Sequence, residues 1–125
     1  MGAKHYTELQ AWQLANGLKR AVYAATQPER IARDRRFCEQ IRESAASAPA
    51  NIAEGFGRYL HKDFARFLRQ AISSLDETQN HIDDGVDRGH FEASLAARLH
   101  ELLGRARAAT VALMNYLSRT PGWGQ

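Results

Sequence analysis

Residues 40–59 read QIRESAASAPANIAEGFGRY, and the spacing inside this stretch decides the fold. With the preceding Phe37, the apolar residues Ile41, Ala45, Ala48, Ile52, Phe56 and Tyr59 recur at steps of three and four, one continuous apolar face on a helix. One residue behind them, Gln40, Ser44, Ser47, Asn51, Glu54 and Arg58 keep the same steps, so a polar stripe runs about 100° round the same helix. A proline at position 49 removes the amide that would bond the carbonyl of Ala45 and pushes its ring toward that carbonyl. Neither stripe loses phase there. The stretch therefore reads as one helix kinked at Pro49, with Asp34 as its N-cap.

Upstream, Thr7-Glu8-Leu9-Gln10 has the form of a capping box, and Leu9, Trp12, Ala15, Leu18, Val22 and Ala25 give the buried stripe of a first helix ending near Ala25. Thr26-Gln27-Pro28-Glu29 repeats the capping-box pattern and predicts a short helix or turn. Downstream, Gly55 and Gly57 offer a left-handed exit from the kinked helix. A third long helix starts near Lys62 or Asp63 on the stripe Phe64, Leu68, Ala71, Leu75, Thr78 and Ile82, and ends at Gly85 or Gly89. It carries its own polar seam of Gln70, Ser74, Glu77, His81 and Asp84. A fourth helix runs from about Phe91 to Leu117 on Leu95, Leu99, Leu102, Ala106, Ala109, Leu113 and Leu117. No alternating strand pattern competes, so the expectation is all-α: one domain over residues 1–125, an antiparallel up-down-up-down four-helix bundle. Residues 1–6 read as a flexible lead and 120–125 as a flexible tail.

Composition narrows the functional classes. The lone Cys38 rules out an intrachain disulfide and points to a reducing cytoplasm. No apolar run reaches the ~18–20 residues of a membrane span, so no membrane partner is expected. Residues 1–70 hold 12 Lys/Arg against 7 Asp/Glu, and residues 71–125 hold 5 against 7. The basic half is where a phosphate-bearing partner belongs. It contains two clusters: Arg30, Arg33, Arg35 and Arg36 in the first long connector, and Arg58, Lys62, Arg66 and Arg69 at steps of four, four and three around the second. The connector cluster fits a solvated linker as well as a phosphate contact. The second cluster forms a continuous basic stripe once the third helix starts, and it is the predicted nucleic-acid-binding surface.

Catalytic and metal chemistry finds little support. Asp83-Asp84-Gly85-Val86-Asp87 resembles the acidic run with which some all-α enzymes hold Mg²⁺, but hard cations need oxygens converging from more than one element and no second such motif exists. Glu77 and His81 lack the spacing of a di-metal bundle. Cys38 has no evident base beside it and reads as a small buried hydrophobe. The expectation is a non-enzymatic protein without metal or cofactor.

Gln40-Ile41-Arg42, the run Ser47-Ala48-Pro49-Ala50-Asn51-Ile52-Ala53-Glu54-Gly55-Phe56-Gly57-Arg58, then Asp63-Phe64, Phe67-Leu68, Ser73-Ser74-Leu75 and Glu77 together resemble the four-helix-bundle family of proteins encoded in intervening sequences of bacterial 23S ribosomal RNA genes. That family includes the accessory variability determinant of diversity-generating retroelements. The resemblance spans about Tyr6 to Leu117. It implies a ring-shaped homopentamer, nucleic-acid binding as in some members, and no enzymatic activity, with Arg42, Pro49, Asn51, Glu54 and Gly55 in structural roles. The sequence departs from the family at Gln27-Pro28, where a Phe-Pro pair is usual, and at Phe37, where leucine is usual.

The third helix also carries charges opposed to its dipole, Lys62, Arg66 and Arg69 early and Asp76, Glu77, Asp83 and Asp84 late. An adjoining helix or subunit of opposite charge order would offset this. The function is then an oligomeric nucleic-acid-binding accessory factor, RNA or DNA. The alternative is a structural scaffold for a protein partner such as a reverse transcriptase.

Overall fold

The computed structural model describes residues 2–120, and the tail expected beyond Thr120 lies outside the described residues. A 3₁₀ turn at Tyr6–Glu8 precedes five helices: α1 (Gln10–Ala25), α2 (Glu29–Ala32), α3 (Arg35–Phe56), α4 (His61–Asp87) and α5 (Ala93–Arg119). There is no strand among the described residues. α3 runs unbroken through Pro49, whose ring is buried.

The four long helices pack in a closed cycle, α1 against α3 and α5, and α4 against α3 and α5. Both contacts of α4 pair ascending with descending residue numbers. Ser44 meets Thr78 and Ser47 meets Ser74 across α3 and α4, while Asp76 meets Arg107 and Asp83 meets His100 across α4 and α5. Every long helix lends fully buried side chains to one core, including Leu18, Ile41, Ile52, Leu68, Leu75, Ile82, Leu99 and Leu117, and Ile31 of α2 joins them.

The polar stripe of α3 is spent largely within the chain. Thr78 Oγ1 lies 2.8 Å from Ser44 Oγ, Ser74 Oγ lies 2.8 Å from Ser47 Oγ, and Asn51 Nδ2 donates to the Ser47 carbonyl at 2.9 Å and to its hydroxyl at 3.0 Å. Small hydroxyl residues let α3 and α4 approach closely while their polar atoms find partners, as burial demands. The late acids of α4 are likewise answered from α5 or locally: Arg107 donates to Asp76 at 2.8 Å, His100 lies 2.9 Å from Asp83, and Arg88 donates to Asp84 at 2.8 Å. The adjoining helix supplies two of these three partners.

Several local expectations are corrected. Thr7 does not cap the first helix; His5 caps the 3₁₀ turn, with the Glu8 carboxylate accepting the His5 amide at 2.9 Å, and α1 starts behind Leu9. Thr26 is no N-cap of α2 either. Its hydroxyl donates back to the Val22 carbonyl at 2.9 Å and closes α1. Gly55 and Gly57 make no left-handed exit, since Gly57 has φ −76° and Gly89, at +79°, is the sole positive-φ residue among those described. In α5 the fully buried face is Ala96, Leu99, Leu103, Ala106, Thr110 and Leu117, with Leu95, Leu102, Ala109 and Leu113 at its half-buried edge. α5 packs between α1 and α4, and its buried arc keeps the predicted Leu99, Ala106 and Leu117 but is turned by roughly 50°, about half a residue step, from the predicted line. Thr110 fits there because its hydroxyl donates to the Ala106 carbonyl at 2.7 Å. Tyr59, the last member of the apolar face read from the sequence, is 96% exposed.

At the end where α3 begins and α4 stops, Asp34 caps α3 as predicted, accepting the Phe37 amide at 3.4 Å. Its Oδ2 also lies 2.8 Å from His90 Nε2 and 3.1 Å from Arg88 Nη1. The His90 hydrogen bond, followed by the Phe37 amide and the Arg88 charge, outweighs desolvation and holds the carboxyl below the usual carboxylate range. A depressed carboxyl pKa contributes stability that is present above its unfolded value and lost as pH falls through its folded value. Lowering the pH from about 6 to about 3 is therefore expected to reduce the urea midpoint more in the parent protein than in Asp34→Asn. Equal losses in the two would show that this contact carries no pH-linked stability.

Candidate nucleic-acid interface

The turn between α3 and α4 is fixed from both sides. Gly57 N donates to the Glu54 carbonyl at 3.2 Å and Arg58 N to the Gly55 carbonyl at 3.0 Å, ending α3 without a left-handed residue. On the far side Leu60 is the N-cap of α4, its carbonyl accepting Phe64 N at 3.0 Å. Gly55 sets the spacing: a Cβ there would stand 2.8 Å from Phe64 Cδ1 and 2.8 Å from Phe67 Cβ. With no side chain at 55, α3 comes down onto the first turns of α4.

That approach gathers predicted basic residues around one ring. Arg58, Arg66 and Arg69 are exposed, as is the neighbouring Tyr59. Lys62 is exposed too. The guanidinium carbons of Arg58 and Arg66 sit 4.6 and 4.8 Å from the Phe67 ring centre, within cation–π range. Arg58 is also tied to Glu54 at 2.6 Å, the i,i+4 pair its spacing predicts. Lys62, Arg66 and Arg69 make no ion pair among the described residues. The sequence named the cations but missed Phe67 as their partner, since it lies outside the stripe read for that helix. Its place one residue after Arg66 was the available signal.

The connector arginines lie at the other end of α4, about 40 Å away for a helix of 27 residues. There Arg30 donates to the carbonyls of Gly89 at 3.4 Å and His90 at 3.2 Å, so it bridges two connectors of the same chain. Arg33, Arg35 and Arg36 do not share these bonds. A cleft of about 520 Å³ opens beside Arg30 and Arg98, lined by Ala21, Ala25, Ile31 and Leu99.

The remaining motif residues hold the frame. Arg42 Nε donates to Thr26 Oγ1 at 2.8 Å and Nη2 to the Thr26 carbonyl at 3.3 Å, binding α3 to the end of α1. Asn51 is bound to Ser47, two residues from the Ala45 carbonyl that Pro49 leaves without its amide. Cys38 is buried, its thiol donating to the Ile31 carbonyl at 3.3 Å, and burial pushes its pKa up. Among the described residues no group of three or more His, Cys, Asp or Glu is placed to hold a metal. No helix among them is long and apolar enough to cross a membrane.

An all-helical protein with a basic end built around an aromatic ring is the class these features define. The sequence pattern of the 23S rRNA-intervening sequence protein family matches residues 7–111, and the chain belongs to that family. No curated protein sequence matches it.

Proposed function

We propose that this family member is a non-enzymatic, oligomeric accessory protein that binds nucleic acid through the α3–α4 end. In this reading the protomer is an up-down-up-down four-helix bundle with α3 bent at Pro49, assembled into a cytoplasmic ring, five copies being the preferred number. The observation that carries the reading is the stripe Lys62, Arg66 and Arg69, free of carboxylate partners among the described residues and beside the Arg58–Phe67–Arg66 cluster. Repetition of one small basic patch round a symmetric ring multiplies phosphate contacts without enlarging the protomer. The buried Cys38, with no second cysteine to join it, suits a reducing compartment.

A binding titration against structured RNA, single-stranded DNA and duplex DNA at several salt concentrations tests this. Replacing Lys62, Arg66 and Arg69 by Gln is expected to weaken binding to all of them. The slope of log affinity against log salt should fall by about 2–3 units, because each phosphate the protein ceases to neutralise removes roughly 0.7–0.9. Unchanged binding, together with loss when Arg30, Arg33, Arg35 and Arg36 are replaced, would move the interface to the other end. Light scattering that gives a monomer at micromolar concentration would remove the ring.

The second reading, a scaffold for a protein partner such as a reverse transcriptase, draws on a groove of about 220 Å³ between α1 and α3. Tyr6, Trp12 and Tyr23 line it together with Pro49, Ala50 and Ala53. Binding that ignores salt would favour it.

A further inference from the structure

Tyr59 is the most exposed large hydrophobic residue of the described chain, at 96%, against 37–41% for Tyr23, Val86 and Tyr116. Its apolar phase would place it on the core face of α3 if that helix continued, but the chain leaves the helix after Phe56. Both neighbours are anchored. Arg58 is held by its amide on the Gly55 carbonyl and its guanidinium on Glu54 and Phe67, and Leu60 by its place at the start of α4. The ring between them projects into water from a backbone that is already fixed, with Arg58 and Lys62 on either side in sequence.

An exposed aromatic ring set among cations has a natural ligand in an unpaired nucleotide. The cations track the phosphates, and the base stacks on the ring whatever its identity. A duplex, whose bases are already stacked on one another, offers the cations the same phosphates but offers the ring no free face. We propose that Tyr59 is a base-stacking residue that makes the α3–α4 end prefer unpaired nucleotides over duplex. The inference rests on the nucleic-acid reading above and adds to it a ligand class and the residue that selects it.

The test compares a fluorescein-labelled oligouridylate, an oligothymidylate and a blunt RNA duplex by anisotropy, across several salt concentrations, using the full chain. Tyr59→Ala should keep the thermal midpoint and sedimentation of the parent, since the ring touches little. It should lose roughly 10-fold in affinity for the single strands, the scale of one stacked base, with duplex binding and the salt slope unchanged. Tyr59→Phe should stay within about twofold of the parent, because stacking needs the ring and not the hydroxyl. Equal losses on single strand and duplex, or no loss on either, would overturn the assignment. So would an altered sedimentation coefficient in Tyr59→Ala, which would make the ring a contact between copies. The underlying reading fails differently: then Lys62, Arg66 and Arg69 can be replaced with no change in binding or slope, or the parent binds none of the three probes.

Discussion

Gly55→Val is expected to destabilise the protein by about 2–3 kcal/mol, the cost of forcing extra methyl groups into a packed contact. The first atom of any side chain at 55 would stand 2.8 Å from Phe67 Cβ and from the Phe64 ring, and a Cβ cannot rotate away as the tip of a long side chain can. Relief requires α3 and α4 to move apart. Phe64 is 3% exposed, and Ile52 and Leu68 on the same two helices are fully buried, so that movement opens the core. It also draws Phe67 from beneath the guanidiniums of Arg58 and Arg66, which sit within 4.8 Å of its centre. Stability and nucleic-acid binding should therefore fall together. Gly104→Ala is the control: that helical glycine is exposed and an added Cβ would meet nothing within 4 Å, so the change should stabilise by about 0.5–1 kcal/mol through helix propensity alone. Urea unfolding of the two variants decides it. A Gly55→Val protein as stable as the parent would mean that the α3–α4 approach is not the tight contact described.

The all-helical fold was legible because long amphipathic helices repeat their signal many times. α3 shows how far this goes and where it stops. Its apolar face was readable from Phe37 to Phe56, and Asp34 was readable as its cap. Tyr59 kept the phase of that face and still left it, since periodicity does not report where a helix ends. Gly55 was visible as a glycine, but its reason lies across the interface in Phe64 and Phe67, on the next helix. The seam of Ser44, Ser47 and Asn51 was visible too, but what it pairs with was not. Its partners Ser74 and Thr78 lie in the same chain, and Thr78 had read as part of an apolar stripe. In α5 the abundance of leucine and alanine allows two adjacent phases, and only packing between α1 and α4 chooses Leu103 over Leu102 for full burial. The cap at His5 escaped because histidine is outside the usual N-cap set and Thr7 gave a better pattern two residues on. For the candidate site, the four cations were legible in sequence and the two aromatic rings beside them were not. Charge spacing can be counted, whereas a ring's exposure or its contact with two guanidiniums is a tertiary fact.

Arg42→Ala is expected to cost about 1.5–3 kcal/mol, the scale of hydrogen bonds made by a charged group. Thr26 is fully buried at the end of α1, where the last carbonyls of a helix run out of amide partners. Its hydroxyl donates to the Val22 carbonyl at 2.9 Å and accepts from Arg42 Nε at 2.8 Å, while Arg42 Nη2 reaches the Thr26 carbonyl at 3.3 Å. One planar guanidinium thus serves two acceptors of the same residue and brings a positive charge to the negative end of the α1 dipole. The Tyr23 ring centre lies 5.8 Å from the guanidinium carbon and covers it on one side. Alanine leaves the Thr26 carbonyl without this donor. Lysine carries the charge but not the fork, so Arg42→Lys should recover the dipole contribution and less than half of the total. Hydrogen exchange locates the effect, with faster exchange expected at the amides of Thr26 and Gln27 in both variants. If Arg42→Lys instead matches the parent in urea midpoint and exchange, the contact is a matter of charge alone and the two-point grip on Thr26 contributes nothing.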